Sequence, residues 1–227
     1  MYLFSILLST AFAEDFISAD RPSVATGSSI VPKGSTQLEA GLQILGLEYG
    51  TPIFSTPFML RYGVHEKFET RVYSSGLTIN NSFIEPSLDG SGVQGKLNIY
   101  QEDSAPISIG LLGSIDFVTE ELFGGGLQLL VDLNIAETSY WLNVGATTIG
   151  AFQYNSIPYS LGAGHLLGSQ HGLFIETAGI ISDVNIFTAE IGYFWISENL
   201  QLDLYLQRDI SEIPNYMVAA GFAYRFR

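Results

Sequence analysis

From Ser35 onward, apolar residues alternate with polar or small ones. An alternation of period two marks a strand with two unlike faces rather than a helix. Leu200, Leu202, Leu204 and Leu206 point one way, and Gln201, Asp203, Tyr205 and Gln207 the other. Near the start, Leu38, Ala40, Leu42 and Ile44 oppose Gln37, Glu39, Gly41 and Gln43. Twelve such segments are predicted, at 35–47, 53–63, 67–74, 91–101, 105–117, 125–135, 138–148, 156–166, 171–181, 185–196, 199–207 and 215–226. Most run nine to thirteen residues, against about five to six for strands of globular proteins and about nine to eleven for tilted membrane strands. In hydrocarbon every backbone donor and acceptor must be met within the protein, and strands achieve that only in a closed sheet. An even count of long two-faced strands therefore predicts an all-β fold, an antiparallel up-and-down transmembrane β-barrel of about 12 strands over residues 35–227.

Connection lengths fit one rim of tight turns and one of loops. Val64-His65-Glu66, Ala136-Glu137 and Ser197-Glu198 are short, whereas residues 75–90 hold Asn80-Asn81, Pro86 and Asp89-Gly90. The tight turns and both chain ends are expected on the periplasmic side, the loops outside the cell. With the more apolar face turned to lipid, Glu39, Arg61, Glu69, Arg71, Lys96, Asp116, Asp132, Glu176, Glu190, Asp203 and Arg225 all fall on the inner face. Such sorting is what hydrocarbon demands, since a lipid-facing Arg at the midplane costs about 2–4 kcal/mol. Tyr62, Phe68, Tyr140, Tyr193, Trp195, Tyr224 and Phe226 lie on the outer parity beside the tight turns, as in an interfacial aromatic girdle.

Composition removes other classes. Of 227 residues, 47% are hydrophobic and 14% charged, too apolar for a disordered chain. No cysteine is present, which excludes disulfide scaffolds, thiol catalysis and Cys-ligated metal. A formal charge of −14 argues against a nucleic-acid partner, because phosphate contacts need a basic face. No metal-ligand spacing or phosphate-binding loop stands in a suitable context, so no cofactor is expected.

Residues 2–12 form an apolar run about half as long as a spanning helix and end in Ala11-Phe12-Ala13, a small-x-small cleavage pattern. Residues 1–13 are predicted to be a signal peptide. Residues 14–34 carry Pro22, Gly27, Pro32 and Gly34 and cannot form a spanning strand. Two readings of this segment stand open: a partial plug in the lumen, with Asp20 and Arg21 pairing to wall charges, or a loose periplasmic tail.

The words of the sequence, as well as its period, resemble the MetA-pathway phenol-degradation family. Ala19-Asp20-Arg21-Pro22, Val31-Pro32-Lys33-Gly34 and Gln37-Leu38-Glu39-Ala40-Gly41 are similar to its opening Asp-Arg-Pro box, turn and first strand. Leu60-Arg61-Tyr62-Gly63 with Glu69-x-Arg71 resembles its second hairpin, and Leu200-Gln201-Leu202-Asp203 with Gly221-Phe222-Ala223-Tyr224-Arg225-Phe226 its last two strands. The middle strands match loosely. The resemblance implies an outer-membrane transporter or porin-like channel of Gram-negative bacteria, folded by the barrel assembly machinery and passing small solutes, with aromatic compounds among the candidates. Barrels of this class commonly end on Phe, whereas here Phe226 is followed by Arg227.

The seven inward acids and four inward bases admit two compatible readings: ion pairs that brace the wall, or a charged constriction that selects solutes. Closure is expected to bring Glu39 beside the strand that holds Arg225. Inward Gly162, Gly164 and Gly192 leave room in the lumen or permit close approach, while Trp141, Tyr100, Tyr205 and Leu130 favour filling. Acids in the outer loops, among them Glu85, Asp89, Glu120, Glu121, Asp183, Asp209 and Glu212, form a solvated rim or attract divalent cations that bridge lipopolysaccharide. The expected partners are thus outer-membrane lipids, lipopolysaccharide and a small-molecule solute. A channel, a closed structural barrel and an outer-membrane lipid hydrolase are the three functional classes. The hydrolase is the weakest, since His65, His165 and His171 all fall at or beside tight turns and none has an obvious Ser partner at mid-strand. If residues 1–13 are cleaved, N-terminal sequencing of the exported protein reads Glu14 first; a mature chain that keeps them makes them a buried strand.

Overall fold

A computed structural model describes residues 16–20, 24–47, 51–80, 83–86, 90–101, 105–117, 123–149, 154–183, 185–211 and 215–226. Residues 1–13, Arg21, Asp89, Glu120, Glu121 and Glu212 lie outside them. The described strands are β1 (Thr36–Leu47), β2 (Ile53–Ser55), β3 (Phe58–His65), β4 (Phe68–Ser74), β5 (Leu77–Asn80), β6 (Phe83–Pro86), β7 (Ser91–Gln101) and β8 (Ile107–Phe117). There follow β9 (Phe123–Ile135), β10 (Thr138–Ile149), β11 (Tyr154–Leu166), β12 (His171–Ile181), β13 (Ile186–Ile196), β14 (Leu200–Asp209) and β15 (Asn215–Phe226). No helix long and apolar enough to cross a membrane occurs among the described residues.

Sequential antiparallel pairing runs round the wall, and β1 closes on β15 from Thr36↔Phe226 to Leu47↔Asn215. The result is a closed twelve-stave barrel in which β2 and β3 share the second stave, both lying along β1. Two details differ from the sequence expectation. The segment 53–63 is not one strand, because Pro57 has no N–H to give the ladder; β1 still uses its carbonyl, with the Gly41 N–H donating to Pro57 O at 3.0 Å. Residues 75–90 are not wholly loop, because β5 and β6 form a hairpin that extends the sheet from β2. Thr56 anchors it, its N–H donating to Leu77 O at 3.1 Å and its hydroxyl accepting from Leu77 N–H at 3.0 Å.

Exposure is inverted relative to a water-soluble protein. Outward Leu60, Val72, Val93, Leu129, Val144, Leu173 and Leu204 are 39–52% exposed, whereas Glu39, Arg61, Glu69, Arg71 and Lys96 are 1% or less. A continuous apolar exterior round a charged interior is stable only where the exterior meets hydrocarbon. Among the described side chains of the wall, one charge breaks the pattern: β14 runs past residue 207 to Asp209, and Arg208 faces outward.

Six glycines lie beneath the aromatic side chain of the residue directly opposite them across the ladder: Gly92 and Tyr73, Gly162 and Trp141, Gly172 and Phe194, Gly192 and Phe174 inside, Gly46 and Tyr216, Gly179 and Tyr159 outside. A Cβ on any of them would come within 2.1–2.6 Å of the ring or hydroxyl. The inward glycines thus let rings lie flat on the wall instead of opening space. Gly192→Ala, whose Cβ would meet the Phe174 ring at 2.2 Å, should cost about 1–3 kcal/mol by overpacking. Gly113→Ala, with only a backbone oxygen at 4.0 Å, is the neutral control; urea unfolding of the refolded barrels compares them.

Candidate functional site

The chain before β1 turns back into the barrel. Ser35 N–H donates to Pro32 O at 3.0 Å and Gly34 takes φ +82°, a conformation favourable to glycine at the third position of a tight turn. The turn lies against the wall, Gly34 N–H donating to Gly63 O at 2.8 Å and Gly63 N–H to Ser35 O at 3.1 Å. A Cβ on Gly63 would sit 2.3 Å from Pro32 O, so the close approach needs glycine there. Ile17, Asp20, Ala25, Ser28 and Val31 are consequently buried.

An irregular segment has no ladder of its own, so its backbone groups must be met by wall side chains. Inward carboxylates take the N–H groups: Val31 donates to Glu69 at 2.5 Å, Ser28 to Asp132 at 2.6 Å, and Val24 and Ala25 to Glu176 at 2.9 and 3.0 Å. Inward donors take the carbonyls: Lys96 on Gly27 at 2.8 Å, Asn143 on Thr26 at 3.0 Å, Asn98 on Ser28 at 3.2 Å, and Gln37 and Arg61 on Ser18 at 3.0 and 3.1 Å. The Ser28 hydroxyl also touches that of Ser108 and donates to Asp132 at 2.6 Å.

At the centre lies a buried cluster of three carboxylates and three cations. Register places Glu69 opposite Lys96 and Arg61 opposite Arg71, the latter an adjacency of like charges that is unfavourable unless anions intervene. Glu69 intervenes, accepting from Arg61 Nε at 3.0 Å and Arg71 Nε at 2.6 Å with Lys96 Nζ at 3.6 Å. Glu39 takes Arg61 Nη1 at 2.8 Å. Asp20, from the lumenal segment, adds the third anion, paired with Arg71 and lying 3.6 Å from Arg61 Nη1 and 3.5 Å from Lys96 Nζ. Burial pushes the Asp20 carboxyl up, but the Arg61, Arg71 and Lys96 charges outweigh it and hold its pKa below the ordinary carboxylate value.

The remaining inward residues stand apart from this cluster. Asp132 holds Ser28; Glu176, which also accepts from Trp141 Nε1 at 2.6 Å, lies opposite Glu190. Asp116 lies toward the loop end with Tyr73 and the Ser114 hydroxyl, and Asp203 lies buried opposite Gly221. Closure sets Gln37, not Glu39, opposite Arg225, whose Nε donates to the Gln37 side chain at 3.2 Å. An aromatic patch of Phe174 and Tyr205, with Trp141 and Phe194 against it, covers the lumenal side of β10–β14. The histidines sit at the tight-turn rim, where His165 pairs with the Thr138 hydroxyl at 2.9 Å and His171 with the Tyr193 hydroxyl at 2.5 Å. Ser28, Ser108, Asn98 and Asn143 were not singled out from the sequence; their only signal is a neutral polar residue on the inner parity or in the preceding segment.

No family model and no curated protein matches the chain. Solved structures of outer-membrane channels do. An outer membrane channel from Pseudomonas putida F1 aligns with TM-score 0.66 at 13% identity, over 90% of this chain and 100% of that one. The KdgM porin in complex with disordered oligogalacturonate aligns with TM-score 0.62 at 12% identity, over 84% and 99%. The CymD monoaromatic hydrocarbon channel gives TM-score 0.50 at 9% identity, over 86% and 88%. The likeness at these identities is one of fold.

Arg61→Ala leaves Glu39 and Glu69 buried without their shared guanidinium and should cost about 3–5 kcal/mol. Arg61→Lys should recover only part, since one ammonium cannot reproduce the forked geometry; urea unfolding in detergent reads both.

Proposed function

We propose that the chain is an outer-membrane channel for small solutes, with residues 14–34 as its lumenal plug. The observation that carries this is the manner in which residues 16–20 and 24–34 are held: mostly by single hydrogen bonds to side chains of the wall, with backbone bonds at Ile17 and at the Gly34 turn and no continuous strand ladder, so that the segment can leave without unzipping the barrel. The inward charges have the double role of bracing the wall and setting its preference. The three cations of the cluster face three carboxylates, while Asp116, Asp132, Glu176, Glu190 and Asp203 outnumber Arg225 along the rest of the lumen. Such a lumen favours cations and neutral molecules over anions, which disfavours a polyanion such as the oligogalacturonate of the KdgM complex. The aromatic patch on β10–β14 supports aromatic solutes, as do the monoaromatic hydrocarbon channel among the structural relatives and the resemblance to the MetA-pathway phenol-degradation family. In this reading residues 1–13 direct export, the barrel assembly machinery inserts the chain, and the acidic loops meet lipopolysaccharide through divalent cations.

The filled lumen also supports a second reading, a closed structural barrel. Planar-bilayer recording of the refolded chain separates the two. Because the chain has no cysteine, Ser28→Cys with Ser108→Cys places a single disulfide between plug and wall. The oxidised variant should be silent, with discrete cation-preferring steps appearing on reduction. Equal conductance in both states would remove the plug; silence even after deletion of residues 14–30 would favour the structural barrel.

A further inference from the structure

A diagonal groove marks the lipid-facing wall over β11–β15. Register carries one outward row from Leu161 to Thr177, Ala189, Arg208 and Tyr216. The row beside it carries Ile175, Ile191 and Leu206, which with Leu161 are 54–61% exposed. They stand clear because Thr177 and Ala189, directly opposed, are small. The open depression so formed has a volume of about 820 Å³, within the range of sites that hold small molecules. Its floor is apolar in effect: the Thr177 hydroxyl is turned to the backbone, donating to Thr188 O at 3.1 Å, and leaves its methyl outward.

Since barrel strands are tilted, a register row climbs as it passes round the wall. Leu161 lies five residues before the tight-turn end of β11, whereas Arg208 is the next-to-last residue of β14 and Tyr216 the second of β15, both at the loop rim. The groove therefore starts in the apolar band and opens between Arg208 and Tyr216. The Tyr216 ring is fixed over Gly46, whose Cβ would meet it at 2.1 Å. Asp209, next in sequence, is engaged by Ser211, whose N–H donates to it at 2.9 Å. A chain of formal charge −14 thus sets an outward guanidinium at the upper end of an apolar trough, where an anion would pair with it bidentately.

We propose that this groove binds one phosphate-bearing lipid of the outer leaflet, an acyl chain lying over Thr177 and Ala189 and a phosphate on Arg208. The assignment rests on the outer-membrane reading, which places the loop rim in that leaflet. The test is native mass spectrometry of the refolded full chain titrated in detergent with bisphosphorylated lipid A. One lipid per barrel should be retained. Arg208→Gln should lower retention about tenfold or more, the scale of a lost charge-assisted pair, and Thr177→Leu should lower it by filling the trough. Lys67→Gln, at the opposite rim, should change nothing. Equal retention by parent and Arg208→Gln, or equal retention of dephosphorylated lipid A, would overturn the site. Membrane fractionation of cells making the full chain judges the outer-membrane reading separately: a barrel that fractionates with the outer membrane while Arg208→Gln retains lipid A undiminished sinks the groove alone.

Discussion

Closure of β1 on β15 is the constraint from which the rest follows. Twelve register pairs, from Thr36↔Phe226 to Leu47↔Asn215, join the first stave to the last, and a wall closed on itself can stand in hydrocarbon. Once the ring is closed, each residue of a stave faces either lipid or lumen. The apolar parity then makes up the exterior, and the charged side chains described in the wall, apart from Arg208 at the loop rim, are driven inward, where they must find partners in a small volume.

That crowding explains the charged cluster better than any pairing on its own. Arg61 and Arg71 face each other across β3 and β4 because the register requires it, and they become tolerable only because Glu69, Glu39 and Asp20 lie among them. The lumenal segment has the complementary need. Having no continuous ladder with a strand, it takes most of its hydrogen bonds from the same inward side chains, so that Lys96 serves at once as a cation near Asp20 and as the donor to Gly27 O. Wall and segment thus solve two separate problems with one set of residues.

The period-two pattern made the architecture legible: parity, the inward charges and the rim of tight turns can be read along single strands such as β14. What the pattern could not carry was anything decided between strands. Pro57 splits a stave whose alternation continues undisturbed, and the hairpin of β5 and β6 sits in a stretch that reads as loop because its eight residues are too few to show a period. Arg208 lies one residue beyond the alternating segment 199–207, in a strand that runs on to Asp209. Within the lumen, charges announced themselves by being costly in an apolar chain, whereas Ser28, Asn98 and Asn143 did not, since neutral polar residues are unremarkable on an inner face. The partner of Arg225 was set by a two-residue offset in register, Gln37 in place of Glu39, a difference that no single strand records.

Asp20 belongs to the lumenal segment, yet it is part of the electroneutrality of the wall. With the segment seated, three carboxylates face three cations; with it withdrawn, Arg61, Arg71 and Lys96 face only Glu39 and Glu69. In the channel proposed above, the segment would be a stopper that carries its own counter-ion. Its departure would widen the passage and also leave one uncompensated positive charge on one side of the lumen, so the empty barrel and the occupied one differ in electrostatic potential as well as in bore.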